Sequence, residues 1–313
     1  MGIRSINKIV FTFHVPIFFL ITGYFLNTRC SLKGFVKNKA RTLLVPYFIT
    51  SLVIIGLATL KGIIFGGTKE AFVEWLYAAL YGAGDNYTEP FYIKGIGAIW
   101  FLWATFWGSC FLKTSLKLSK WFRLLFVLGL FGIGYGSRVL FWFPLSIQAG
   151  MCSTLFMYIG YQYREIKEQL EKMPDESKCF LAVFAFGTWI SFINQFQSFW
   201  LVHCDVGRGI IDILGAVCGC ICVIMISKFI EGKMQILAKS LSFLGKYSLF
   251  VLCIHIVELD IFPWWSVTGH LVECGLNPEY QLFVIIVGKF IIDLLGTYIL
   301  TRSVIIRKIF GVK

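Results

Sequence analysis

The sequence predicts an all-α polytopic transmembrane helical bundle of about nine helices, and three observations carry that prediction. Of 313 residues, 58% are hydrophobic and only 15% charged, at a mean hydropathy of +0.76. Soluble domains of this length do not have that composition. Apolar stretches able to cross a hydrocarbon core of roughly 30 Å recur from end to end. They are apolar all round, without the dyad pattern of a barrel strand.

Breaks rich in charge, glycine, proline and asparagine place helices near 9–27, 43–65, 96–113, 121–137, 139–163, 179–201, 208–230, 243–264 and 281–301. The first, with FTFHVPIFFLITGYFL, carries His14, and the second follows the basic run KNKARTLLVPYF. The third holds the aromatic cluster IGAIWFLWATFWG around Trp100 and Trp103. Gly132 and Gly136 in the fourth, and Gly215 and Gly219 in the seventh, have the small-x-x-x-small spacing of close helix contacts. The eighth carries His255 and Glu258 three apart, with Asp260 beyond, and the ninth carries Lys289 and Asp293 four apart. Between helices, 66–95 contains an amphipathic piece (Phe72, Trp75, Leu76, Ala79, Leu80), read either as cover for a site or as an interfacial helix. REIKEQLEKMPDESK at 164–178 reads as a solvated helix with Glu/Lys pairs at i,i+4.

The net charge of +12 reflects topology. Of the 29 basic residues, 21 fall on one side, from Arg29 through Lys37, Lys113, Arg164 and Lys246 to Lys313. Seven (Arg4, Lys8, Lys61, Lys69, Lys94, Arg138, Arg208) fall on the other, and Lys289 lies within the last helix. The positive-inside rule gives a multi-pass protein with lipid as its surroundings and a cytoplasmic C-terminus. Nucleic acid is not an expected partner. An extracytoplasmic start with an odd helix count predicts one more helix ahead of Met1. The ten cysteines show no C-x-x-C pair and read as packing residues, so no metal is expected. No P-loop or G-x-S-x-G pattern occurs, and no internal repeat of the kind found in duplicated transporters.

Ionisable groups inside a bilayer are costly and mark sites by default. His14, Arg138, Asp212, His255, Glu258, Asp260, Lys289 and Asp293 qualify. His14 reads as a general base or as a histidine bonded to a backbone carbonyl freed by Pro16. His255 with Glu258 suits catalysis, a proton path or a polar packing pair. Lys289 and Asp293 are expected to form an internal ion pair. Lys37, Lys39 and Arg41 anchor the topology and could also grip a phosphorylated cytoplasmic donor. Trp100 and Trp103 read as interfacial belt or as the stacking wall of a carbohydrate pocket.

Four segments in order, FHVPIFFLITGYFL, KNKARTLLVPYF, IWFLWATF and FLGKYSLFVLCIHIVE, resemble the integral membrane acyltransferase 3 family, most closely its fucose 4-O-acetylase-like bacterial branch. The resemblance covers nearly the whole chain, 1–313, as a single domain. It implies a ten-helix bundle of the cytoplasmic (inner) membrane that transfers an acyl group, usually acetyl from acetyl-CoA, to the hydroxyl of an extracytoplasmic polysaccharide or its lipid-linked precursor. By this likeness His14 and His255 match family histidines, with Glu258 beside the second. Lys39 and Arg41 match the donor-handling segment and Trp100 the W-F-L segment. Two features depart from the pattern. The aligned basic positions are Lys39 and Thr42, with Arg41 beside them, and lysine does not replace a guanidinium fork. The family's first helix, with its arginine and essential histidine, would lie upstream of Met1.

The expected function is therefore a membrane O-acyltransferase using acyl-CoA and a carbohydrate acceptor. A transporter or flippase of a lipid-linked sugar is the competing class, and a truncated inactive acyltransferase is the third.

Overall fold

The structure is a computed structural model and describes residues 2–89 and 91–311, with residues 2–5 in backbone only. The side chain of Arg4 and the whole of Lys313, both part of the charge pattern, lie outside the described residues.

The first predicted helix is two, α1 (Gly2–Phe11) and α2 (His14–Tyr24). Pro16 lies in the first turn of α2, where its missing N–H leaves the Thr12 carbonyl without a helical donor. Next come α3 (Leu32–Lys39), a π-helical turn at Ala40–Leu44, α4 (Val45–Phe65) and α5 (Thr68–Tyr81). Then follow α6 (Trp100–Ser115), α7 (Lys120–Ser137), α8 (Ile147–Glu171), α9 (Asp175–Asn194) and α10 (Ile210–Lys233). The predicted 243–264 helix becomes α11 (Gln235–Lys246) and α12 (Ser248–Ile261), bent by 67° at Tyr247. The chain ends with α13 (Trp264–Glu273), α14 (Pro278–Arg302) and α15 (Val304–Ile309). The only bridge among the described residues is the isolated Tyr87–Ile93 pair.

Each of the nine apolar stretches contains a helix, although 139–146 of the fifth is irregular before α8 starts at Ile147, and the sixth ends at Asn194 rather than 201. Five described helical runs, Ile6–Tyr24 across α1 and α2, Leu32–Phe65 across α3 and α4, and α9, α10 and α14, or six with the bent pair, are long and apolar enough to cross a membrane. α6 falls short because its 16 residues span only about 24 Å. α8 is long enough but not apolar enough, because its first 18 residues include Gln148, Ser153, Thr154 and Gln162; it then runs on through REIKEQLE, absorbing part of the expected cytoplasmic helix, with Lys167 and Glu171 paired at 3.6 Å.

The chain forms two compact units, Met1–Lys37 with Trp103–Lys239, and Asn38–Leu102 with Ser240–Lys313. In the first, α2 and α8 touch backbone to backbone: a Cβ on Gly23 would overlap the Met157 carbonyl, and one on Gly160 the Leu20 carbonyl. Gly215 and Gly219 lie against Phe192 and Trp189 of α9, as their spacing predicts. Gly132 and Gly136 do not make the expected contact, because nothing lies within 4 Å of either. Gly134, between them on the opposite side of α7, packs on α8 instead. Lys113 donates to the Asn27 and Thr28 carbonyls (3.1 and 2.9 Å), and Arg164 to those of Tyr24 and Leu26 (3.3 and 2.8 Å). These cations satisfy the carbonyls at and beyond the C-terminus of α2. Arg138 joins Asp205 at 3.7 Å, while buried Asp212 is held by the backbone N–H and guanidinium of Arg208. Both are local structural pairs.

In the second unit the Tyr47 hydroxyl donates to the Ala79 carbonyl at 2.6 Å, tying α4 to α5. The buried face of α5 is Trp75, Ala78 and Ala79, whereas Phe72 and Leu80 from the predicted face are exposed. Ala78 and Ala79 let α5 lie close to α4, with Trp75 buried one turn earlier, while Phe72 and Leu80 turn away. α12 packs on α4 and α14, and Phe250 stacks on Phe310 after α15 at 4.2 Å.

Candidate active site

The densest group of chemistry-bearing side chains lies in the second unit, on α12 and α14. Three-residue spacing puts His255 and Glu258 on one face of α12. Asp293 comes from α14, whose approach is eased at Gly296, where a Cβ would lie 3.1 Å from the Ile254 side chain. The bend at Tyr247 sets the start of α12, and Glu258 is fixed at the far end by the indole N–H of Trp264, which donates to its Oε1.

Asp293 Oδ2 lies 2.9 Å from His255 Nδ1, and Glu258 Oε2 lies 3.3 Å from the same nitrogen. A carboxylate oxygen only accepts, so Nδ1 carries the proton and Nε2 is left as the basic nitrogen. The His255 side chain is 37% exposed, whereas those of Glu258 and Asp293 are 2% and 10% exposed. An imidazole open to a substrate is thus backed by two shielded acids. Glu258 Oε2, Asp293 Oδ1 and Thr297 Oγ1 are buried without a hydrogen-bond partner. The ligand atoms of His255, Glu258 and Asp293 lie within 4.8 Å of one another, close enough to share a small cation or a proton.

The expected Lys289–Asp293 ion pair is not formed. Asp293 turns to His255, and the Lys289 ammonium sits 5.3 Å over the Trp264 ring. The His255 imidazole, reached on the neighbouring helix, outcompetes the i,i+4 ammonium of Lys289. Asp260 Oδ2 is also buried and unpaired, next to the backbone of Gly97.

The other expected residues are elsewhere. His14, in the first unit, holds Val10 O with Nδ1 at 3.1 Å and meets Phe11 edge-on at 4.8 Å. Its partner is a backbone carbonyl, although Val10's rather than the Thr12 carbonyl that Pro16 frees. Lys39 ends α3 and Arg41 is exposed on the π-helical turn, a rare form that often marks functional sites. Beside that turn, Gly311 meets Thr42, and one turn earlier on α15 the Arg307 Nε is buried without a partner. Trp100 is 7% exposed and stands edge-on to Phe101, so it offers little surface. Sequence reasoning missed Asp293 as the partner of His255, and Trp264 and Arg307 altogether. A tryptophan six residues past Glu258 carried no readable signal, but an acid buried in the last helix did.

Searches of curated proteins and of solved structures return no match. The sequence profile of the acyltransferase domain family, acyltransferase 3, matches residues 2–302. That match covers almost every element described above, including the His255 group and the basic π-helical turn. The chain therefore belongs to the acyltransferase 3 family and is a multi-pass membrane acyltransferase.

Proposed function

We propose that this acyltransferase moves an acetyl group from acetyl-CoA, bound from the cytoplasm, to a hydroxyl of an extracytoplasmic sugar or polysaccharide precursor, as in the fucose 4-O-acetylase-like branch. The observation that carries the reading is the His255–Asp293 hydrogen bond of 2.9 Å. It leaves Nε2 as the base and puts a carboxylate where the imidazolium would form. Nε2 takes the hydroxyl proton as the oxygen attacks the thioester carbonyl. The tetrahedral oxyanion then collapses, the C–S bond breaks, and the departing thiolate takes the proton back from the imidazolium. Glu258, 3.3 Å from Nδ1, shares the task of orienting the ring. His14, whose Nδ1 faces only a carbonyl, is the weaker base of the two.

On the donor side, Lys39 and Arg41 supply charge for the phosphates of coenzyme A, and the unpaired Arg307 Nε adds a directed donor. The basic-residue count puts this end, and the C-terminus, in the cytoplasm. Membrane vesicles carrying the protein and given radiolabelled acetyl-CoA are expected to place label in alkali-labile esters on glycan. Folded protein that transfers no label to any carbohydrate would overturn the reading.

A further inference from the structure

The loop after α5 builds a cleft that the proposed reaction has not used. Its volume is about 680 Å³, inside the roughly 300–1,000 Å³ of small-ligand sites. Tyr77, Tyr81, Phe91 and Tyr92 line it, together with the charged pair Glu74 and Lys94. Tyr77, Phe91 and Tyr92 are 65%, 57% and 63% exposed, and the hydroxyls of Tyr77 and Tyr92 have no partner among the described residues. Burial raises the Tyr81 phenol above its ordinary value, so it remains a donor.

The cleft rests on a constructed loop. Tyr87 and Ile93 exchange backbone hydrogen bonds of 2.9 and 2.8 Å, Asn86 Oδ1 accepts from Gly95 N at 2.8 Å, and Ile96 N donates to Ala83 O at 2.7 Å. Lys94 reaches Glu74 at 3.0 Å and lies 4.2 Å over the Trp75 ring. Just beyond Lys94, the short helical turn Gly97–Ile99 packs on α12. Gly97, at φ +73°, brings its backbone against Ile256 and Asp260, and Lys94 acts electrostatically on Asp260. Asp260 is five residues beyond His255 on the same helix.

We propose that this cleft is the acceptor subsite and holds a sugar ring of the glycan. A sugar ring has an apolar C–H face and a rim of hydroxyls. Exposed aromatic faces suit the first, and phenol hydroxyls with a Glu–Lys pair suit the second. A hydrocarbon chain would use the rings and leave the polar groups idle. The proposal takes the reaction from the acyltransferase reading, but the ligand from the geometry of the cleft.

The test uses the full chain in nanodiscs and a panel of hexose, N-acetylhexosamine and uronate trisaccharides, with saturation-transfer NMR as the direct binding readout. At least one trisaccharide binds. The Tyr77→Ala/Tyr92→Ala double variant weakens it about tenfold or more, Tyr77→Phe/Tyr92→Phe weakens it by a smaller but measurable factor of about three as the hydroxyls are lost, and acetyl-CoA binding is unchanged. In an active preparation the Ala variant raises KM for the glycan and leaves KM for acetyl-CoA alone. Binding by His255→Gln with no acetyl transfer by any variant or by the wild type would sink the acyltransferase reading, and with it the acceptor role, and leave the cleft as a sugar-binding site. Three results overturn the subsite: no trisaccharide binds, the Ala variant binds as the wild type does, or native mass spectrometry shows a phospholipid that the Ala variant loses.

Discussion

His14 and His255 present nearly the same sequence problem, a histidine in an apolar helix, and the structure resolves them differently. Both have Nδ1 engaged and Nε2 left as the basic nitrogen. His14 spends Nδ1 on Val10 O, a neutral acceptor one turn back on its own helix. His255 meets Asp293 from another helix and Glu258 from its own, both shielded. The first arrangement fixes a tautomer. In the proposed mechanism the second would also stabilise the cation that base catalysis creates, so a carboxylate from a packed neighbour is the feature that singles out His255 as the proposed base.

The largest expected effect follows from that difference. His255→Gln should lower acetyl transfer roughly 100- to 10,000-fold, whereas His14→Gln should cost less than about tenfold, both read as initial rates on protein of unchanged melting temperature. Asp293→Asn keeps the shape but allows the amide to donate to Nδ1, which favours the wrong tautomer. A loss of about 100-fold in kcat with little change in KM for acetyl-CoA checks it.

Smaller effects concern the stability of the first unit. Gly23→Val should lower the melting temperature by several degrees, because the added carbons run into the Met157 backbone. Gly132→Ala, with open space around it, should leave melting unchanged or raise it slightly. Lys113→Met removes two charge-assisted hydrogen bonds beyond the end of α2 and should cost about 1–3 kcal/mol in a denaturation series.

Much of the bundle was legible because hydropathy reports the solvent of each helix directly. The nine apolar stretches each contain a helix, and the spacing of Gly215 and Gly219 correctly marked a close contact. The breaks within stretches were harder to read. Neither the split of the first stretch nor the 67° bend at Tyr247 leaves more trace than one proline or none. Gly132 and Gly136 failed because spacing alone does not say which side of α7 faces a neighbour. In the candidate site, His255 and Glu258 were visible through their i,i+3 spacing. Asp293 was assigned to Lys289 because sequence shows only partners on the same helix, and the competing imidazole lies 38 residues away. The cleft at Tyr77 and Tyr92 was hidden for a related reason. Exposed aromatics near a membrane look like an interfacial belt until a folded loop arranges them around a cavity.

The most direct test of the central claim is acetyl transfer from radiolabelled acetyl-CoA to glycan by the wild type, His255→Gln and His14→Gln in matched nanodiscs. The account predicts that His255→Gln is reduced to background while His14→Gln keeps at least about a tenth of the wild-type rate. Retained activity in His255→Gln alongside loss in His14→Gln would contradict it.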